Sequence, residues 1–232
     1  RLTLNRPKQG NAVVPELVRD LMTCFDRIDT DSDIRVLVMT GAGRNFCAGA
    51  DLSGMRDYIK NDLHRQEEPY NARILHPVTL RLAGLNLPTI AAVNGAATAG
   101  GFDLSLACDM RIAGQSTRFG ETYINLGLAP GNGGAWFLPR LVGSAIAAEL
   151  ALTGDLIDAD RALELRIVNR IVDDGMLLGE TLALASRIAA KPRKALMATK
   201  QLLRGSWQND LQGALNMSYW TTHTLQYSAD FR

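Results

Sequence analysis

Two short stretches of very small residues offer main-chain amides for chemistry. "NFCAGADL" (residues 45–52) follows the apolar run "IRVLVMTG", and "NGAATAGGFDL" (94–104) follows the apolar run "TIAAV". Gly and Ala let a ligand approach the backbone closely, and the second stretch opens a helix near Gly100, whose free N–H groups favour a negative charge. Two amides that face one oxygen atom form an oxyanion hole. Either stretch alone is equally compatible with simple tight packing between layers.

Three side chains near these stretches are candidates for proton transfer. Asp103 stands in the first turn of the predicted helix, where the helix dipole stabilises a carboxylate even without a catalytic role. Glu121 and Tyr123 lie in "RFGETYINLG"; they share a face if that segment is extended and do not if it is helical. A phenol with a pKa near ~10 is a poor base at neutral pH, although it donates a hydrogen bond or a proton. Tyr123 is therefore either a proton donor or a core aromatic residue.

Composition excludes several classes of function. The 232 residues are 47% hydrophobic and carry 25 basic against 24 acidic side chains, which disfavours nucleic acid as a partner. No apolar stretch reaches the ~18 to 20 residues of a membrane span. Three cysteines and three histidines are scattered without the spacing of metal ligands, which predicts reduced thiols, a cytoplasmic location and no metal.

The hydrophobic pattern predicts an α/β protein with a helical second half. An amphipathic helix starts at Pro15, and buried strands cover 34–41 and 89–95, with a short helix and a strand after residue 100. The polar stretch 53–70 is predicted to be a solvated loop or a short exposed helix. After residue 144 the pattern is mostly helical, apart from a strand in "RIVNRIV". We therefore predict an α/β half over 1–140 and a helical region over 141–232.

Four motifs, in order over nearly the whole chain, resemble the enoyl-CoA hydratase/isomerase (crotonase) family: "LNRPKQGNAV", "GAGRNFCAGADL", "PTIAAVNGAATAGGFDLSLACDMRIA" and "NLGLAPGNGGAWFLPRLVG". The resemblance implies a spiral of β-β-α turns and a helical C-terminal region that builds trimers, often paired into hexamers. It also implies an acyl-CoA thioester as substrate, with coenzyme A as part of that substrate and no separate cofactor. The chain ends at "SADFR", where the family's last helix would normally continue.

The resemblance also assigns roles to residues of this chain. It implies that the amides of Ala50 and Gly100 hold the thioester oxygen as an enolate forms. It implies that Lys8 is a cation near the phosphates of coenzyme A. The adenine end of coenzyme A is expected, largely through main-chain groups, on the strip Ala48, Ala50, Asp51 and Leu52. The walls of the acyl pocket are expected at Met55, Tyr58, Ile59, Trp136 and Phe137.

The acid/base positions depart from the common hydratase pattern. Hydratases of that type use two glutamates, which fall at Asp103 and Tyr123 here. Asp at the first position also resembles the dienoyl-CoA isomerase branch, whose further acids would fall at Tyr123 and Gly131, and neither is acidic. Glu121 is the candidate to replace the missing acid. Addition of water to a 2-enoyl-CoA is the first expectation and double-bond isomerisation the next. Hydrolysis or decarboxylation of an acyl-CoA, and a non-catalytic CoA-binding or scaffold protein, stay open.

Overall fold

Two sheets organise the fold. The computed structural model describes residues 1–60, 70–228 and 231, with the side chains of 54, 57–59 and 70–74 left out. The larger sheet has five parallel strands in the order β1-β2-β3-β5-β8. The smaller sheet has the order β4-β6-β7, with β4 and β6 parallel and β7 antiparallel to β6. The strands are β1 (Leu2–Leu4), β2 (Leu37–Gly41), β3 (Thr89–Val93), β4 (Ala96–Thr98), β5 (Met110–Gly114), β6 (Arg118–Gly120), β7 (Ile157–Asp158) and β8 (Arg170–Val172).

Each of the first four turns of the chain visits the large sheet, then the side of the small sheet, then a helix. After β3 the chain passes through β4 before its helix, and after β5 it passes through β6. In the two earlier turns single residues take the second position: Val13 bridges Ala50, and Cys47 bridges Ala97, both in parallel. The result is the predicted spiral of β-β-α turns, and it stacks residues 47–50 directly beside residues 97–100.

Helices pack around the sheets, and several match the sequence predictions. The helix predicted from Pro15 runs to Thr30 and buries Leu21, Phe25 and Ile28 in the core. Within the stretch 53–70 the described residues include one helix, and a second helix begins at its end. The helices are α1 (Pro15–Thr30), α2 (Leu52–Lys60), α3 (Tyr70–Gly84), α4 (Gly100–Ala107), α5 (Gly134–Val142), α6 (Ser144–Thr153), α7 (Ala159–Glu164), α8 (Leu177–Ala189), α9 (Arg193–Gly205) and α10 (Leu211–Gln226).

Helix α9 is anchored through two ion pairs with Asp109. Lys200 of α9 lies 2.7 Å from the Asp109 carboxylate and donates to the Leu87 carbonyl oxygen. Arg204, one turn later, holds the other Asp109 oxygen at 2.9 Å. The following helix, α10, lies within the region predicted to be helical and leaves Leu211, Leu215, Tyr219 and Trp220 exposed.

Two negative findings concern the described residues only. Over 1–60, 70–228 and 231, no helix combines the length and apolar character that a membrane crossing requires. In the same part of the chain, no group of three His, Cys, Asp or Glu side chains is arranged to hold a metal ion.

Candidate active site

The two small-residue stretches meet where α4 begins. Gly49 has a φ of +90°, and a Cβ placed on it would lie 3.0 Å from the Gly100 nitrogen and 3.2 Å from the Thr98 carbonyl oxygen. A Cβ on Gly101 would fall under 3.0 Å from the Cys47 carbonyl oxygen, closer than real Cβ atoms come. Glycine is therefore required at both positions by close approach of the two backbones.

Free main-chain N–H groups are available at this contact. The first backbone N–H groups of a helix have no partner inside it, and Gly100 opens α4. Among the described residues, the N–H groups of Ala50 and Gly100 donate no hydrogen bond. Ala99, which directs the chain into α4, has φ +47° and ψ −122°, a conformation that costs a residue with a Cβ about 1 to 3 kcal/mol. Such strain is typical of functional backbone.

Asp103 points from the first turn of α4 into a buried polar cluster. The Tyr123 hydroxyl donates to Asp103 Oδ2 at 2.5 Å, and Asn132 Nδ2 donates to the Tyr123 oxygen at 2.6 Å. All three side chains are buried. Asn132 also reaches the oxyanion region, since a Cβ on Gly100 would lie 3.3 Å from its amide nitrogen. Hydrogen bonds thus connect Asn132, Tyr123 and Asp103, and Asn132 lies beside Gly100.

Glu121 lies near Oδ1 of Asp103, the oxygen that Tyr123 does not contact. A Cβ on Gly134 would fall under 3.0 Å from both Glu121 Oε1 and Asp103 Oδ1, so these two oxygens are close neighbours. The sequence left open whether the segment that holds Glu121 and Tyr123 is extended or helical. Glu121 follows β6 and precedes a 3₁₀ turn over Thr122–Leu126, and both Glu121 and Tyr123 point inward.

Burial sets the protonation states of this cluster. Removal from water raises the pKa of Asp103 to about 6, although the hydrogen bond from Tyr123 acts in the opposite direction. Burial and then the negative charge of Asp103 raise the pKa of Glu121 to about 9. Burial and the Asp103 charge also raise the pKa of the Tyr123 phenol. Because two buried carboxyls this close do not both ionise, near neutral pH one of them stays protonated, and the lower pKa of Asp103 favours Asp103 as the carboxylate beside the protonated Tyr123 phenol.

A model of the enoyl-CoA hydratase/isomerase family matches residues 1–232. The chain belongs to this family. It is 37% identical to 1,2-epoxyphenylacetyl-CoA isomerase of Escherichia coli, over 100% of this chain and 88% of that protein. It is 35% identical to a short-chain-enoyl-CoA hydratase of Clostridium acetobutylicum, over 92% of this chain and 80% of that protein. The crystal structure of an enoyl-CoA hydratase from Bacillus anthracis superposes with a TM-score of 0.92 at 33% identity, covering 98% of this chain and 87% of that one.

The residues predicted to meet coenzyme A lie together on one rim. Ala48 and Leu52 are exposed, as is Lys8 in the 3₁₀ turn Pro7–Gln9. The N–H groups of Ala48 and Asp51 donate to the carbonyls of Gly10 and Val13, so they are already occupied. Their part in binding coenzyme A stays a prediction.

The Asp51 side chain has structural partners of its own. It caps α2 by accepting from the Ser53 backbone N–H at 3.0 Å, and it pairs with Arg6 at 3.3 Å. The hydrogen bonds from the Ser53 hydroxyl and the Ser53 backbone N–H, followed by the contact with Arg6, lower the pKa of Asp51. These contacts fix the rim between the first chain turn and α2.

The predicted acyl-pocket residues fall into two groups. Tyr58 and Ile59 lie outside the described side chains, and Met55 is half-buried on α2. Trp136 and Phe137 line a cavity of about 840 Å³ between the C-terminal end of α4 and α9. Phe137 also approaches the active site, because a Cβ on Gly133 would come under 3.0 Å from its ring. An acyl chain in this cavity stays a prediction.

Sequence reasoning missed Asn132 and Gly134 as members of the site. The signal that could have found them is "GNGG" at 131–134, in which an amide side chain stands between glycines at a predicted turn. Cys47, by contrast, lies at the site but is no candidate nucleophile, because burial raises the pKa of its thiol to about 12.

Replacement of Tyr123 by Phe tests the hydrogen bond to Asp103. Without the hydroxyl, the Asp103 carboxylate loses a donor, so its pKa rises further and its basic form is lost at higher pH. We expect the acid limb of the pH–rate profile to move upward by about one pH unit. Stopped-flow or steady-state rates between pH 5 and 9 measure this shift. An unmoved acid limb would mean that Tyr123 is only a packing residue.

Proposed function

We propose that the protein transforms an acyl-CoA thioester through an enolate whose oxygen is held by the N–H groups of Ala50 and Gly100. The support is the contact between Gly49 and Gly100, together with the absence of another described acceptor for either amide. The α4 dipole adds to the stabilisation of negative charge at Gly100. Loss of one such donor typically costs about 2.7 to 4 kcal/mol of transition-state stabilisation.

The arrangement around Asp103 best supports isomerisation of a double bond. This reaction needs one base that removes a proton from C2 of a 3-enoyl-CoA and returns it to C4, which gives the 2-enoyl-CoA. Asp103 is the one ionised member of the described cluster, and Tyr123, with its raised pKa, stays protonated beside it. A carboxylate with a pKa near 6 is a well-matched base at neutral pH.

Hydration of a 2-enoyl-CoA is the second candidate, and Glu121 favours it. The environments of Glu121 and Asp103 push the pKa values of the two carboxyls apart. Such a difference is the usual mark of an acid and a base that work as a pair. Glu121 would then replace the acid that the common hydratase pattern has at Tyr123. The hydratase names of several relatives agree with this candidate.

A panel of saturated, 2-enoyl, 3-enoyl and malonyl-type CoA esters separates these reactions. We expect 3-enoyl-CoA to be converted to 2-enoyl-CoA faster than 2-enoyl-CoA is hydrated, with products identified by mass spectrometry and NMR. Faster hydration would make the second candidate the function. No turnover, and no deuterium exchange at C2 of any saturated ester, would favour a CoA-binding or scaffold protein.

Replacement of Gly49 by Ala tests the oxyanion site. The added Cβ presses on the Gly100 nitrogen, so we expect kcat to fall by about 100-fold with a small change in KM. Gly127→Ala is the matched control. Gly127 has a φ of +68° and open space around it, so the added Cβ carries a backbone cost of about 1 kcal/mol without touching the site. Equal kcat values for the two variants would argue against Gly100 as a donor.

Three further expectations belong to this proposal. Coenzyme A would arrive as part of the substrate, with its adenine end on the rim of Ala48, Ala50, Asp51 and Leu52 and its phosphates near Lys8. Assembly into trimers or pairs of trimers through the C-terminal helices, and a cytoplasmic location, also stay predictions.

A further inference from the structure

A second cavity borders the active-site residue Glu121. It has a volume of about 240 Å³ and lies between α5 and α6. Ala135, Ser144 and Ala148 on its wall are exposed, so it opens toward the surface. Its volume has room for several water molecules at about 30 Å³ each. The lining residues are Glu121, Pro130, Gly134, Ala135, Leu138, Pro139, Ser144, Ala147, Ala148 and Ala151.

Glu121 stands between this cavity and Asp103. It lines the cavity, and its Oε1 shares the space beside Gly134 with Asp103 Oδ1. The side chain is 1% exposed, both of its oxygens are sealed from solvent, and the polar group beside them is the Asp103 carboxyl. A second carboxyl buried next to Asp103 is costly, because two carboxyls so close together do not both ionise, so a structural role alone does not account for it. A neutral amide or an apolar residue would fill the space at lower cost.

We propose that Glu121 and this cavity form a rear proton route, through which Asp103 exchanges protons with solvent while the thioester occupies the front of the site. The proposal rests on the proposed function. Such a route matters because a bound substrate separates Asp103 from solvent on the side of the site that the substrate occupies.

The transfer balances without any further reactant. Asp103 takes a proton from the substrate carbon and becomes a neutral acid. Its O–H bond then breaks as an O–H bond forms at Glu121 Oε1, while Glu121 Oε2–H, which is sealed from solvent in this structure, turns toward the cavity and releases its proton to water there. Glu121 stays neutral, Asp103 is a carboxylate again, and the cavity water carries the proton. The reverse sequence returns a solvent proton to the substrate carbon.

The test compares proton exchange with turnover. A saturated acyl-CoA is incubated in D₂O, and deuterium at C2 is measured by mass spectrometry; turnover of the preferred enoyl-CoA ester is measured in parallel. Ala147→Leu and Ala151→Leu each fill the cavity without touching Asp103, and Glu121→Gln keeps the shape but cannot pass on a proton. Ala145→Leu, exposed on α6 and outside the cavity wall, is the control.

We expect the ratio of exchange to turnover to fall at least fivefold in Glu121→Gln and in whichever cavity-filling variants fold, and to stay at the wild-type value in Ala145→Leu. Unchanged ratios in an active enzyme, or turnover without any exchange in the wild type, would overturn the rear route and leave the proposed function standing. Neither exchange nor turnover in the wild type would overturn the proposed function itself, and the rear route with it.

Discussion

Asp103→Asn should lower turnover by about 10²- to 10⁴-fold, the range that a positioned general base contributes. The substitution keeps the size of the side chain and its ability to accept from Tyr123, but removes the one group of the cluster that is ionised near neutral pH. Binding of a saturated acyl-CoA should change little, because the amides of Ala50 and Gly100 are untouched. Steady-state kinetics and calorimetric titration measure the two quantities.

The same variant should be more stable than the wild type, and the gain should depend on pH. The pKa of Asp103 is raised in the folded state from 3.8 to about 6, so the folded protein favours the protonated form. This contribution to stability is fully present below pH 4 and is lost as pH rises through 6. Asp103→Asn should therefore raise the free energy of unfolding by roughly 1 to 3 kcal/mol at pH 8 and by little at pH 4.

Asp158→Asn is the matched control for both measurements. Asp158 caps α7 by accepting from the Arg161 N–H at 2.9 Å, and Asn caps a helix about equally well. Turnover and stability should stay near wild type. If Asp103→Asn kept more than a tenth of wild-type turnover, Asp103 would be only a carboxylate at a helix start, and the base would lie elsewhere.

The sequence predicts the positions that depend on local rules. Small residues after buried strands indicate main-chain chemistry, and the first turn of a helix indicates a stabilised carboxylate at Asp103, whereas the roles of Ala50 and Gly100 are what the resemblance to the family implies. The meeting of Gly49 with Gly100 is different, because it depends on parallel bridges between chain turns about 50 residues apart. Contacts between residues so far apart in the chain leave no periodic pattern in the local sequence.

The environment of Glu121 could not be predicted for a related reason. Sequence spacing relates it to Tyr123, and either an extended or a helical segment was compatible with that spacing. The structure has a strand end followed by a 3₁₀ turn, which turns both side chains inward. Asn132 and Gly134 join the cluster from another segment altogether, so their role follows only from packing.

Gly134→Ala should damage the site although it improves the local helix. Gly134 begins α5, where Ala is favoured over Gly by about 1 kcal/mol. The added Cβ, however, would fall under 3.0 Å from both Glu121 Oε1 and Asp103 Oδ1, and these buried carboxyls have little room to move away. We expect turnover to fall by about 10- to 100-fold, and the free energy of unfolding to fall by about 1 to 3 kcal/mol.

Gly179→Ala separates the helix effect from the contact effect. Gly179 lies in α8, and a Cβ on it meets no atom within 4 Å. This variant should gain about 0.5 to 1 kcal/mol of stability and keep full turnover. Chemical denaturation and kinetics on both variants give the comparison. A Gly134→Ala protein that behaved like Gly179→Ala would show that the two carboxyls are not held against the start of α5, and the paired protonation states of Asp103 and Glu121 would then lack their structural basis.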